Sequence, residues 1–334
     1  NMNNFKKIGM TALAASLVSV SANAGAISVS GGASLGVTGH TGEGLNAGTS
    51  FSMGNQLTFS GSGELDNGLN VSVSFVLDQG DDKSTANATN AVNGSAPFDS
   101  HSITVSADGL GSLTMSGEGG GNATSAISGT AAGGLWDAFD QLANASGITF
   151  PDLQVTISSG NNAFVYTSPE LMTGLTGVVS YQPQGANSEG ATGYGINYSG
   201  VEGLTLNWAT TEIDGTSAVT RGDNSAMKVA YAYGPVTVTY SKSENDLGST
   251  GVDNESSSYA VSYTVSDELS ITYGSETHDQ SNKTVDGEID AISFAYTAGG
   301  MTLSGSMKDG ENLDYSTNSA ADVEQWTLGA SFAF

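Results

Sequence analysis

The stretch Leu135-Trp136-Asp137-Ala138-Phe139-Asp140-Gln141-Leu142-Ala143-Asn144 carries the residue types whose spacing could do chemistry. At helical spacing Leu135, Phe139, Leu142 and Ala143 share one face, while Asp137, Asp140, Gln141 and Asn144 share the other. That pattern predicts a short amphipathic helix. Its apolar side packs on a surface, and its carboxylates and amides face water. Carboxylates held this way concentrate cations and repel anions. Proton chemistry is not indicated. His40, His101 and His278 fall in predicted loops or at their edges, far apart in sequence, and none has a recognisable Ser or carboxylate partner. A nucleophile needs a base beside it, so the reading is that this chain is not an enzyme. Acidic pairs such as Asp81-Asp82, Asp253/Glu255 and Asp309/Glu311 could hold calcium, which prefers several oxygens. None has the spacing of a helix-loop-helix calcium site, so loop-bound calcium stays an open option, without an assigned metal site or any other cofactor.

The elements that must position the Asp137 stretch are read from composition and periodicity. The first residues resemble an export signal: Lys6 and Lys7, an apolar run from Ile8 to Val20, and the small-x-small stretch Ala22-Asn23-Ala24. A cleaved signal peptide over 1–24 leaves a mature chain of 25–334. No second apolar run is long enough to cross a bilayer as a helix. There is no cysteine, so no disulfide framework supports the exported chain. Of eight basic residues Lys6 and Lys7 leave with the signal, so six face 34 acidic ones, a net charge of about −28. Such a chain repels nucleic acid and attracts cations.

Beyond the signal the sequence alternates with period two. In Leu69-Asn70-Val71-Ser72-Val73-Ser74-Phe75 and in Tyr259-Ala260-Val261-Ser262-Tyr263-Thr264-Val265, apolar residues alternate with small polar ones. Sixteen such segments are predicted, at 26–37, 56–65, 69–78, 100–107, 112–118, 162–168, 175–183, 192–199, 204–212, 225–233, 236–244, 256–265, 268–276, 288–297, 301–308 and 324–334. Short turns such as Asp66-Asn67-Gly68, Gly234-Pro235 and Ser266-Asp267 alternate with long connections, the longest being 119–161. Tight turns at one end and long polar loops at the other, with strands of this length, describe an all-β, 16-stranded antiparallel transmembrane β-barrel. Tyr166, Tyr198, Tyr233, Tyr263, Tyr296 and Phe334 fall at one end of the apolar face. Phe75, Tyr181, Trp208, Tyr240 and Tyr273 fall toward the other, as two interfacial girdles would. Strand parity turns Glu118 inward at the outer end of its strand. It leaves Lys228 and Lys308 as the inward basic residues of the wall, with Arg221 in a long loop. Lys242 takes outward parity near the outer rim, where it snorkels or meets a lipid or lipopolysaccharide phosphate.

The whole mature chain, from this layout to its closing strand Trp326-Thr327-Leu328-Gly329-Ala330-Ser331-Phe332-Ala333-Phe334, resembles the Gram-negative general (diffusion) porins, nearest in flavour to those of alphaproteobacteria. The stretch Asn161-Asn162-Ala163-Phe164-Val165-Tyr166-Thr167-Ser168 is similar to the family's strand after the third loop. The resemblance implies an outer-membrane homotrimer with one pore per subunit and passive diffusion of small hydrophilic solutes. It implies that the long third loop, 119–161, folds into the lumen as a constriction carrying Asp137, Asp140, Gln141 and Asn144, with Glu118 of the preceding strand joining its acidic side. It also implies that the terminal aromatic, Phe334, is read by the barrel-insertion machinery. One feature departs from the family: members commonly set a cluster of Arg and Lys opposite the acidic loop, and here Lys228, Lys308 and Arg221 are scattered. The expected pore is therefore net negative and prefers cations. The alternative reading is a surface-exposed structural or adhesive β-barrel with a closed lumen.

Overall fold

The computed structural model describes residues 27–42, 48–78, 98–125, 127, 129–139, 142, 150, 162–185, 190–214, 222–246 and 252–334. The expected signal, 1–24, lies outside these residues. Sixteen strands are present. The first five are β1 (Ser28–Gly42), β2 (Gly48–Glu64), β3 (Asn70–Asp78), β4 (Ser100–Ala107) and β5 (Gly111–Glu118). Next come β6 (Ala163–Thr167), β7 (Leu175–Gln182), β8 (Gly190–Tyr198), β9 (Leu204–Asp214), β10 (Gly222–Tyr233) and β11 (Val236–Asp246). The last are β12 (Asn254–Thr264), β13 (Leu269–Gln280), β14 (Gly287–Ala298), β15 (Met301–Glu311) and β16 (Val323–Ala333). Each pairs antiparallel with its neighbours, and β1 pairs with β16, so the sheet closes on itself. Closure leaves no edge strand to be satisfied by lipid.

The two faces of this sheet differ as the alternation requires. Large apolar side chains such as Tyr181, Trp208, Tyr240, Tyr263, Tyr273, Leu328 and Phe334 stay exposed, as lipid-facing groups do in the absence of lipid. The opposite face carries hydroxyls that pair directly across strands: Thr104 with Thr114 and Ser262 with Thr272 at 2.8 Å, and Ser306 with Thr327 at 2.7 Å. Tyr233, Val236 and Tyr263 share one row beside the Gly234-Pro235 turn, and Tyr240 and Tyr259 share another farther along the same strands. The aromatic rows thus sit at two levels of the apolar face.

All sixteen predicted segments are strands, but several run longer than predicted. The expected loops 38–55, 213–224, 245–255, 277–287 and 309–323 shrink because β1, β2, β9, β10, β12, β13 and β15 continue into them. Their exposed face there carries carboxylates, including Glu212, Asp214, Asp279, Asp309 and Glu311. Apolar alternation marks only the part of a hairpin that crosses lipid. Beyond it water solvates both faces, and the backbone ladder continues without a hydropathy signal. In β1 and β2 the extension is Gly-, Ser- and Thr-rich and carries no apolar marker either.

The closing strand ends in a main-chain exchange with β1. Gly31 N–H donates to the Phe334 carbonyl at 2.8 Å, and Phe334 N–H donates to the Gly31 carbonyl at 3.0 Å. The Phe334 ring crosses Gly31 so closely that a Cβ there would lie 2.7 Å from it, and any larger residue would push the ring aside. Deleting Phe334 should therefore destabilise closure by roughly 1 kcal/mol per lost hydrogen bond, plus the ring contact. The expected result is a lower yield of heat-modifiable barrel on refolding in detergent.

Candidate functional site

The polar faces of β10 to β16 form a continuous row of directly paired residues: Lys228, Ser241, Ser258, Glu276, Ile289, Gly310 and Val323. The segment after β5 runs across this row, one strand at a time. Lys228 Nζ donates to the carbonyls of Gly129 at 2.9 Å and Thr130 at 3.4 Å. Ser241 Oγ accepts the Ala131 N–H at 2.7 Å, and Ser258 Oγ accepts the Ala132 N–H at 3.0 Å. Glu276 then accepts the N–H groups of Gly134 (3.1 Å), Leu135 (2.9 Å) and Trp136 (3.1 Å), and also the Thr130 hydroxyl. Earlier in the segment, Ala123 N–H donates to Ser180 Oγ at 3.0 Å, and the Thr124 and Thr211 hydroxyls meet. A segment without regular structure needs outside partners for its backbone, and the strands' small polar side chains supply them.

Leu135 and Phe139 bury themselves with Phe150, Ile289, Ala291, Leu313, Tyr315, Ala321 and Val323, and Leu142 packs against this cluster. The apolar half of the predicted helix thus meets the wall as expected, Ala143 lying outside the described residues. Among the described residues the helix is shortened to a single 3-10 turn, Leu135–Ala138. Glu276 meets the N–H groups of Gly134, Leu135 and Trp136, which the first turn of any helix leaves without partners. Gln325 Nε2 donates to the Ala138 carbonyl at 3.0 Å and so occupies an acceptor that a continuing helix would use. Asp137 sits between those two attachments and is exposed.

Of the other predicted site residues, Asp140, Gln141, Asn144 and Arg221 lie outside the described residues. Glu118 is half-buried at the end of β5. A register shift between His101 and Ser102 pairs Glu118 with His101 and Ser116 with Ser102, so plain alternation breaks at Gly117. Lys228 is on the polar face, with its ammonium on segment carbonyls. Lys308 shares a row with Ala291 and Gln325, within reach of the fields of Asp137 and Glu276. Sequence reasoning missed Glu276, Ser241, Ser258 and Gln325. The available signal was Glu276 itself, a carboxylate at polar parity on a strand whose preceding polar positions are Ser270, Thr272 and Gly274.

His278 corrects the expectation of isolated histidines. Its Nδ1 lies 2.8 Å from Ser256 Oγ, and its Nε2 lies 3.4 Å from Glu276 Oε2. The strand register opposes Ser256 to His278, a proximity hidden by 22 residues of separation. This arrangement resembles a catalytic triad only in composition. All three side chains are buried beneath the segment, and Glu276 is already engaged by backbone donors. Among the described residues no group of three or more His, Cys, Asp or Glu could hold a metal ion. Lys242 finds its partners within the chain: Glu244 at 2.5 Å and Glu255 at 3.1 Å. Both pairs are partly exposed, where such contacts contribute about 0–1 kcal/mol.

The sequence matches the family described as Gram-negative porin over residues 9–334. The chain belongs to the Gram-negative porins. Membership places this porin in an outer membrane, among channels that catalyse no reaction. Among solved structures it is similar to a porin refined at 1.8 Å resolution, with 17% identity, a TM-score of 0.64, and 92% of this chain and 100% of the other covered. A variant of the Rhodopseudomonas blastica porin matches with 17% identity, the same coverage and a TM-score of 0.64. A triple mutant of that porin matches with 18% identity and a TM-score of 0.60, again over 92% and 100% of the chains. At such identity the likeness concerns the fold. No curated protein matches the sequence.

Proposed function

We propose that this porin passes small hydrophilic solutes and ions by passive diffusion, through a lumen that segment 119–161 narrows, and that it prefers cations. The polar face lines the lumen, and the segment lies across it along the row from Lys228 to Val323. The supporting observation is the unequal placement of charge. Lys228 is bound to two segment carbonyls, and Lys308 on the same polar face lies within the fields of two carboxylates, Asp137 and Glu276. Asp137 is exposed at the turn. A narrow passage with exposed carboxylate and engaged ammonium groups raises the local concentration of cations. The pore assembles as a homotrimer with one lumen per subunit, after removal of residues 1–24 as an export signal. Phe334 serves as the assembly signal at the C-terminus, and Asp140, Gln141 and Asn144 extend the polar side of the constriction.

The test is single-channel recording in a planar bilayer with a salt gradient across it. Steps grouped in threes and a cation-selective reversal potential are expected. Asp137→Asn should lower the cation-to-anion permeability ratio by about twofold, since it removes one carboxylate from a narrow passage. A reversal potential unmoved by Asp137→Asn would remove this residue from the selectivity site. A well-folded barrel with no conductance would favour the surface barrel with a closed lumen.

A further inference from the structure

Resting on the reading of this segment as the narrow part of the lumen, we infer that Glu276 is a positioning residue for the constriction: its buried carboxylate latches the turn that presents Asp137. Glu276 is fully buried, and its charge is met by three backbone N–H groups and one hydroxyl of a single short stretch, Thr130 to Trp136. A carboxylate withdrawn from water needs such donors. The Leu135 and Trp136 N–H groups, like those of any first helical turn, need an acceptor from outside the turn, while Gly134 N–H also donates to Thr130 Oγ1 at 2.7 Å. Gln325 holds the other side at the Ala138 carbonyl. Asp137 is thus bracketed, with its preceding residue held by β13 and its following residue held by β16. His278 packs beside the latch and is steadied by Ser256. This accounts for a carboxylate buried on the polar face of β13.

Glu276→Gln keeps the shape but offers one acceptor oxygen and an amide that turns its own donors toward Trp136 N–H. Glu276→Ala removes both acceptors. In Glu276→Ala the Leu135 and Trp136 N–H groups gain partners only if water reaches them, which requires the segment to leave the wall; Glu276→Gln keeps one acceptor and should act in the same direction, less strongly. The expected results are an open-channel conductance raised by roughly half, greater current noise, and a larger size limit for exclusion of neutral polyethylene glycols. The last measurement separates position from charge: loss of a negative field moves the reversal potential but leaves the exclusion of neutral polymers unchanged.

The chain has no cysteine, so a tether can be added cleanly. In the Glu276→Ala background, Ala132→Cys and Ser258→Cys bridged by a short bifunctional thiol reagent should restore the wild-type exclusion limit. If Glu276→Ala fails to insert, Glu276→Gln and Gln325→Leu read the two sides of the bracket separately. Wild-type exclusion and noise in these variants, in a protein that conducts and responds to Asp137→Asn, would overturn the latch alone. A wild-type barrel that does not conduct would overturn the constriction reading and the latch with it.

Discussion

Replacing Phe139 by Ala should free the segment from the wall while leaving the barrel closed. Phe139 is the largest fully buried side chain among the described residues, in a cluster that joins the segment to Ile289 of β14, Val323 of β16 and Leu313 beyond β15. Truncating a buried Phe costs about 3–5 kcal/mol. The hydrogen bonds to Ser241, Ser258 and Glu276 and from Gln325 are the same before and after the substitution, so they do not replace the lost burial. Each 1.4 kcal/mol is a factor of ten, so the opened segment should become more populated by about a hundredfold or more. The strand ladder is untouched, because Phe139 pairs with no strand. The measurement is amide hydrogen exchange over residues 134–139 in detergent, alongside thermal unfolding of the barrel. Faster exchange with an unchanged unfolding midpoint is expected. Unchanged exchange would mean that polar attachments alone hold the segment.

Gly274→Val should displace the same segment by steric force. A Cβ built at Gly274 would lie 2.6 Å from Ala132 Cβ and 3.3 Å from Ala132 Cα. Neither atom can rotate aside, as the end of a long side chain could. Two elements could yield, and they differ in stiffness. β13 is hydrogen-bonded on both sides, to β12 and β14, over nearly its whole length. The segment is held by isolated contacts. Valine suits a strand, so the segment moves, and the Ala131–Ser241 and Ala132–Ser258 hydrogen bonds break. Open-channel current and its noise should change strongly in Gly274→Val and by an intermediate amount in Gly274→Ala. A silent valine would show that Ala132 is not seated on this strand in the working channel.

The strands were legible because the lipid environment leaves a strict mark. Lipid demands an apolar side chain at every second position, and no other force in this chain imposes that period. It located all sixteen strands, and it put Phe334 at one end of the apolar face. The same reasoning ended β9, β13 and β15 too early and began β10 too late, since above the lipid both faces meet water and alternation fades. The Asp137 stretch was legible as a surface-packing segment because Leu135, Phe139 and Leu142 share one side. It was not legible as a 3-10 turn. Local spacing favours a helix, and the Ala138 carbonyl that would continue it is taken by Gln325 from β16.

Thus the sequence by itself determined the strand number, the lipid-facing side of each strand, the acidic balance and the apolar side of the third connection. All of these depend on the character of near neighbours. The tertiary structure alone decided which side chains meet. The register of seven strands lines up Lys228, Ser241, Ser258, Glu276, Ile289, Gly310 and Val323. It also brings Ser256 to His278 and seats Ala132 over Gly274. A one-residue slip in any pairing would turn that strand's small polar side chains toward lipid. Register is therefore a property of the closed sheet, and the row that holds the segment exists only once the barrel has closed.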